Sequence, residues 1–330
     1  MDFHIGKKTL TRNSEPYLIA EIGLNHNADI EIGKRTIDKA KESGAHAVKF
    51  QTYRTEEFID SKNPDVKFLF DIFKQYELNE TLHREFQKTA LDLGLDFFST
   101  PLCNSAVDLL CDLDVPVFKI ASGDIVNLPL LDKVIQTGKP ILVSTGAALP
   151  EEVTRAISKF QKENVETCIL HCVSMYPTPL EKVNLQSIPF YLDTTNYVVG
   201  FSDHTGGTIA SAVAIGLGAV IIEKHFTLDR SLDGPDHTIS MDPESFRKLA
   251  EETKQSFLMR GVYGKNTHAE ETNGWFYGRR SLYKQNNSVL SLRPALHTKD
   301  KTVLDSWSLD LVGDPSRFPE GPIRLAPITK

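Results

Sequence analysis

Eight short runs rich in apolar and β-branched residues recur along the chain: YLIAEI from residue 17, HAVKFQT from 46, LDFFSTP from 95, PVFKIAS from 116, PILVSTG from 140, TCILHCV from 167, YVVGFSD from 197 and AVIIEKH from 219. Between most of them the pattern changes to a helical period, as in IGKRTIDKAKESG, NETLHREFQKTALDLG, NLPLLDKVIQTG and LPEEVTRAISKF, with Gly or Pro near the ends as stops. The stretch 180–193, before the seventh run, is the least clearly helical. Runs with little in-out alternation suit strands buried on both faces, and crossovers of a dozen or more residues return a strand parallel to the one before it. The pattern therefore predicts an α/β chain folded as a (β/α)8 TIM barrel. A doubly wound open sheet is the alternative, but no GxGxxG follows a strand. MDFHIGKKTLTRN, ahead of the first run, predicts a small hairpin across the bottom of the barrel.

The ends of these runs are polar. Glu21, Lys49 with Gln51, Thr100, Lys119 with Ser122, Ser144 with Thr145, His171, Ser202 to His204, and Glu223 with His225 stand at or just beyond the carboxyl ends. In a barrel these positions converge on one mouth, where sites of this fold are built. Taken singly, each has a structural explanation: a strand-end Ser or Thr caps the next helix, a His hydrogen-bonds within the core, and a Lys reaches solvent along its alkyl stem. Eight independent caps would not require polar side chains at every strand end. Alternation along the eighth run sends Glu223 and His225 one way and Lys224 the other. The segment from Arg54 to Leu78, with its aromatic FLFDIFKQY, either roofs the mouth or packs as a helix on the outside of the barrel, and outside packing is the expectation.

Composition narrows the partners. With 330 residues, 40% hydrophobic and 25% charged, the chain is long enough for a large core. A formal charge of -7 and no basic tail argue against nucleic acid. The start lacks a cationic-then-apolar leader, and the longest apolar run, from Ala212 to Ile222, is too short to span a bilayer, so a cytoplasmic protein with no membrane partner is expected. Four cysteines at 103, 111, 168 and 172 show no CxxC spacing and are expected to be reduced thiols.

Ordered along the chain, AEIGLNHN (20–27), VKFQTY (48–53), FKIASGD (118–124), STG (144–146), YPTP (176–179), GFSDHT (200–205), EKHFT (223–227) and GPDHTIS (234–240) resemble the sialic acid synthase family, which includes N-acetylneuraminate synthase and the legionaminic and pseudaminic acid synthases. The similarity runs from about residue 17 to RRSL at 279–282. It implies condensation of phosphoenolpyruvate with an N-acylated amino sugar aldehyde and water to give a nonulosonic acid and phosphate. On this resemblance Lys49 and Lys119 are the cations for phosphoenolpyruvate. Thr100, Ser122, Ser144, Tyr176 and Ser202 match positions supplying hydroxyl donors to it. His204 and His225 match two metal ligands, a partial shell suited to a labile manganese or magnesium ion. Glu21 and Gln51 match residues beside the sugar, Glu21 as the group handling protons, and Asp236 matches a sugar contact. Asp203 either orients His204 or caps the following helix.

Two departures stand out. The family carries a small C-terminal antifreeze-like domain whose partner-chain copy brings an arginine to the sugar, so the resemblance also implies a homodimer. Here the expected division is a hairpin plus barrel over 1–278 and a short, atypical segment over 279–330, ending in VGDPSRFPEGPIRLAPITK, whose proline and glycine suit an extended tail. Arg293 before Pro294 comes too soon after RRSL to be assigned a role. Ser174 stands where better-known members have asparagine. Two other readings stay open: an aldolase forming a Schiff base on Lys119 or Lys224, and a non-catalytic binding barrel.

Overall fold

The computed structural model describes residues 1–271, 273–293 and 320–322. The chain forms two compact units, Met1–Gly261 and Val262–Lys330. In the first, a hairpin of β1 (Phe3–Ile5) and β2 (Lys8–Leu10) precedes eight strands: β3 (Tyr17–Gly23), β4 (Ala47–Thr52), β5 (Asp96–Pro101), β6 (Phe118–Ile120), β7 (Ile141–Ser144), β8 (Thr167–Cys172), β9 (Val198–Asp203) and β10 (Ile221–His225). All eight pair in parallel with their sequence neighbours, and β10 returns to β3, closing the barrel. The predicted (β/α)8 architecture is the one observed. The strands are buried almost throughout, which is why they read as unbroken apolar runs.

Helices α1 (Ile30–Glu42), α2 (Thr55–Phe58), α3 (Lys67–Gln75), α4 (Glu80–Asp92), α5 (Asn104–Asp112), α6 (Leu128–Gln136), α7 (Pro150–Lys162), α8 (Ser187–Thr194), α9 (Ile209–Gly216) and α10 (Pro243–Arg260) fill the crossovers. Their starts are chemically marked. Asp29 accepts from the Glu31 and Ile32 amides, Asn79 from Leu82 and Asp242 from Ser245, satisfying N–H groups that the first turn leaves over. The weakly helical stretch at 180–193 resolves into a 3-10 turn (Leu180–Lys182) and α8. At the amino end of the barrel Phe3, Ile5 and Leu10 are buried, the Met1 amine donates to the Asn196 carbonyl at 2.9 Å, and Gly6 lies against Asp96. The hairpin thus covers the end opposite the strands' carboxyl termini.

The Arg54–Leu78 segment corrects an expectation. Tyr53, Phe58, Ile72, Phe73 and Tyr76 gather with Leu24, Leu102 and Cys103 in a cluster separate from the main core. Leu24 and Leu102 lie just past the ends of β3 and β5, so α2 and α3 flank the mouth instead of the barrel wall. The second unit contains an antiparallel sheet of β11 (Ser281–Gln285), β12 (Ser288–Leu292) and β13 (Gly321–Pro322), in the order β12-β11-β13. Arg293 is exposed, Pro294 lies outside the described residues, and so does most of the proline-rich ending.

Several histidines are buried as neutral rings. His26 packs tilted against Phe50 and Phe86, and burial pushes its pKa down to about 3. Burial likewise lowers His46 to about 4 and lowers His83, which lies 2.8 Å from the Thr52 hydroxyl. An unfolded histidine takes a proton near pH ~6.5, so between that value and the depressed folded ones the unfolded chain binds more protons and acid weakens the fold. Glu21, raised by burial to about 7, acts in the opposite sense, one group against these three. The melting temperature is expected to fall as pH drops from about 6.5 to 5, and His26→Asn should give a shallower fall. An unchanged slope in that variant would remove His26 from the account.

Candidate active site

At the carboxyl end of the barrel a cavity of about 180 Å³ holds an alternating set of buried charges. Lys49 Nζ lies 2.7 Å from Glu21 Oε2 and 3.7 Å from Glu223 Oε2, and Lys119 Nζ lies 3.3 Å from Glu223 Oε1. Each of these four side chains is less than a tenth exposed. Glu223 on β10, Glu21 on β3 and Lys49 on β4 come from three consecutive strands, and Lys119 comes from β6, one strand further round beyond β5. Lys49 also donates to Thr100 Oγ1 at 2.8 Å, and Ser202 Oγ donates to Glu223 Oε1 at 2.9 Å. A larger cavity of about 690 Å³ lies between α7 and α8, but no charged side chain lines it.

The charges are unequally held. Burial opposes the ionised form of Glu223, yet Lys119, Lys49 and the Ser202 hydroxyl outweigh it and bring the carboxyl down to about 2. Glu21 is raised to about 7 by burial, with Glu223 adding to the rise and Lys49 only partly offsetting it. Lys49 loses to burial but gains more from Glu21 and Glu223, and its pKa rises; Lys119 is lowered, chiefly by burial and further by Lys49, against Glu223. Glu223 is therefore the fixed anion between two ammonium groups, and Glu21 changes protonation near neutrality. Two carboxyls pushed apart in this way are the raw material of acid–base chemistry.

The imidazoles lie on the same rim. His204 and His225 have ring centroids 5.6 Å apart, and Tyr176 lies 4.1 Å from the His204 ring. His204 Nδ1 is 2.9 Å from the Val173 carbonyl, so it carries the proton and leaves Nε2 with a lone pair. His225 Nδ1 is buried without a hydrogen-bond partner, 3.8 Å from Asp236 Oδ2. Among the described residues no three His, Cys, Asp or Glu side chains form a metal-binding group, so these residues offer a pair of ligands. The Ser144 hydroxyl is buried and unpartnered, while Ser122 Oγ accepts from the Gly146 amide at 3.0 Å.

Eleven of the residues singled out in the sequence line this cavity: Glu21, Lys49, Gln51, Thr100, Lys119, Ser122, Ser144, Tyr176, Ser202, His204 and His225. Asp236 stands beside it at His225. The NeuB family model matches residues 36–265. The chain belongs to the NeuB family. It is 37% identical to N,N'-diacetyllegionaminic acid synthase of Legionella pneumophila, over 74% of this chain and 73% of that protein. It is 34% identical to human N-acetylneuraminate-9-phosphate synthase, over 71% of this chain and 68% of that one. The crystal structure of N-acetylneuraminic acid synthetase from Leptospira borgpetersenii superposes with a TM-score of 0.78 at 32% identity, covering 83% of this chain and 94% of that one. Relatives in the NeuB family are thus sialic-acid-type synthases.

Three strand-end residues do not join the NeuB cavity. His171 faces outward, its Nε2 2.7 Å from the Val183 carbonyl, and Thr145 donates to the Leu170 carbonyl; both line the larger outer cavity. Asp203 pairs with Lys224 at 2.9 Å and accepts from the Thr205 amide and the Ser211 hydroxyl, so it holds the start of the next helix and makes no contact with the His204 ring. Two titratable cavity residues, Glu223 and Cys172, have no role from sequence. Glu223 was visible at a strand end, but only the register of β10 against β9 and β3 sets it between two lysines. Cys172, 3.8 Å from His204 Nδ1, read as one more buried thiol. Lys224 points away from the mouth into Asp203 and the Thr205 carbonyl, which removes it as a Schiff-base candidate. Lys224→Ala should strand the Asp203 carboxylate in the interior and lower unfolding free energy by about 3–5 kcal/mol. Urea denaturation tests this, and a loss below about 1 kcal/mol would mean that the pair behaves as a surface one.

Proposed function

We propose that the chain condenses phosphoenolpyruvate with an N-acylated amino sugar aldehyde, N-acetylmannosamine or a related hexosamine, and water, giving a nonulosonic acid and phosphate. The observation that carries this reading is the buried Glu21–Lys49–Glu223–Lys119 set beside two imidazoles in one cavity. A ligand bearing both a carboxylate and a phosphate needs fixed cations at close range, and Lys49 and Lys119 supply them. Thr100, Ser122, Ser144 and Ser202 add hydroxyls, of which Ser144 has no competing partner. Tyr176, 52% exposed, adds a further hydroxyl for phosphoenolpyruvate, and the half-buried Gln51 and Asp236 are the contacts for the sugar.

In this reaction the third carbon of phosphoenolpyruvate bonds to the aldehyde carbon, water adds at the second carbon, and phosphate leaves with the electron pair of the broken carbon–oxygen bond. Glu21, titrating near neutrality, accepts the proton from the water or returns one to the tetrahedral centre. Glu223 keeps the two ammonium groups in place. His204 and His225 fit a partial shell for a divalent ion, manganese or magnesium: each keeps a ring nitrogen unclaimed, and the set leaves room for oxygen ligands from water and substrate. When bound, that ion would polarise the aldehyde oxygen. The names of the relatives span unphosphorylated and phosphorylated products, so the sugar and its 6-phosphate are both candidates.

The test is phosphate release from phosphoenolpyruvate with manganese, against N-acetylmannosamine, its 6-phosphate and diacetamido hexoses. His204→Ala and His225→Ala should abolish turnover. Lys119→Met should raise KM for phosphoenolpyruvate by about 30- to 150-fold, the equivalent of an ammonium–anion hydrogen bond worth about 2–3 kcal/mol. Full turnover in both histidine variants would overturn the metal assignment. Borohydride trapping of an adduct on Lys119, with activity that survives a chelator, would favour the aldolase.

A further inference from the structure

Beside the catalytic mouth, behind a shared wall, lies a second cavity of about 230 Å³. Tyr176 and His204 line the mouth, and their chain neighbours Pro177 and Thr205 line this second space. It opens at the start of α9. None of the residues lining it is acidic, while Arg230 and Lys248, from two other segments, both do. Arg230 spends one N–H on the Thr238 carbonyl, and Lys248 is only loosely paired, 3.7 Å from Glu252.

The loop entering α9 is held in one orientation. The buried Lys224 ammonium takes the Thr205 carbonyl at 2.6 Å and the Gly207 carbonyl at 3.1 Å. In a trans peptide the carbonyl and the following N–H point in opposite directions, so the Gly206 and Thr208 amides face away from Lys224. Neither donates to another group among the described residues. Gly206 and Gly207 have open space where a Cβ would stand, and neither has a positive φ, so packing and backbone conformation do not call for glycine there. Thr208 occupies the N-cap of α9, where a threonine ordinarily accepts from the helix's own amides, yet its side chain caps nothing. It is only 7% exposed, it lines the cavity, and among the described residues its hydroxyl takes up no hydrogen bond at the helix start.

We propose that this cavity is a phosphate-binding site, distinct from the mouth, in which the Gly206 and Thr208 amides, the Thr208 hydroxyl, Arg230 and Lys248 hold a phosphate dianion. A helix amino terminus with free amides attracts such an anion, and barrels of this kind frequently bind phosphate after their seventh and eighth strands. Here those strands are β9 and β10. Two sources share the chemistry: free phosphate, or the phosphoryl group of a hexosamine 6-phosphate reaching past the wall. The second source rests on the synthase reading; the binding itself does not.

The experiment is calorimetric titration of the full chain with inorganic phosphate, in wild type, in Arg230→Gln/Lys248→Gln, in Thr208→Val, and in the mouth variant Ser144→Ala/Ser202→Ala. The site predicts at least a tenfold loss of phosphate affinity in the double glutamine variant, a severalfold loss in Thr208→Val, and a retained binding event in the mouth variant. Thermal unfolding of each variant shows that it is folded. Phosphate binding that the glutamine variant keeps, or that the mouth variant removes entirely, overturns the proposal. A kinetic arm separates the sources. If the phosphate arrives on the sugar, the glutamine variant raises KM tenfold or more for the 6-phosphate and leaves KM for the unphosphorylated sugar unchanged. If it arrives free, the same variant relieves inhibition by inorganic phosphate that is not competitive with phosphoenolpyruvate.

Discussion

The site depends on a single constraint, the burial of two ammonium and two carboxyl groups at one end of a closed barrel. Removing such charges from water costs several kcal/mol each unless they are paired with good geometry. A loose pairing would leave the barrel mouth unstable. Closure between β10 and β3 meets the constraint, because it is the step that puts Glu223 within 3.7 Å of Lys49 and 3.3 Å of Lys119. An open sheet with the same strands would separate the first from the last and leave both lysines short of a partner. The topology and the chemistry are therefore one requirement.

Strand alternation then sorts neighbours into different tasks. On β10, Glu223 and His225 turn to the mouth while Lys224 turns outward to Asp203, under 4% exposed on either side of that pair. On β8, Cys172 reaches the mouth and His171 faces the outer cavity. The outward pair is more than filler: by gripping the Thr205 and Gly207 carbonyls, Lys224 fixes the loop that follows His204. The mouth and the loop beside it are thus braced from opposite faces of the same two strands.

The amount legible in the sequence follows from this geometry. Apolar runs separated by helical periods, with polar residues at every strand end, were sufficient for the barrel and for the set of residues around its mouth. Periodicity says that Glu223 and Lys224 face opposite ways, but it does not say which way is inward; that needs the register of three strands. The same holds for His171, which faces the outer cavity, since one residue of phase decides between mouth and wall. The aromatic FLFDIFKQY segment suits wall packing and a place at the mouth equally well. Its partners, Leu24, Leu102 and Cys103, belong to loops whose positions no local pattern encodes. Motif similarity marks His204 and His225, where periodicity cannot; it includes Glu223 within EKHFT without giving it a task, and Cys172 lies in none of the matching strings.

The resting charge balance of the mouth also limits how an anion can enter it. Two ammonium groups face two carboxyls, so the cavity carries no formal excess of positive charge when both acids are ionised, and a multiply charged ligand would meet Glu21 and Glu223 as repulsive neighbours. Glu223, brought down to about 2 by its two lysines, cannot relieve this by taking a proton. Glu21 can, because burial holds it near 7, and its proton would free Lys49 from the 2.7 Å pairing that now occupies it. An incoming anion favours that protonation by its own field. In the proposed reaction the same carboxyl would then be a proton donor at the moment the site is filled. The group that makes room for the charge of the ligand would also be the one to handle a proton afterwards, so that one raised pKa would serve both steps.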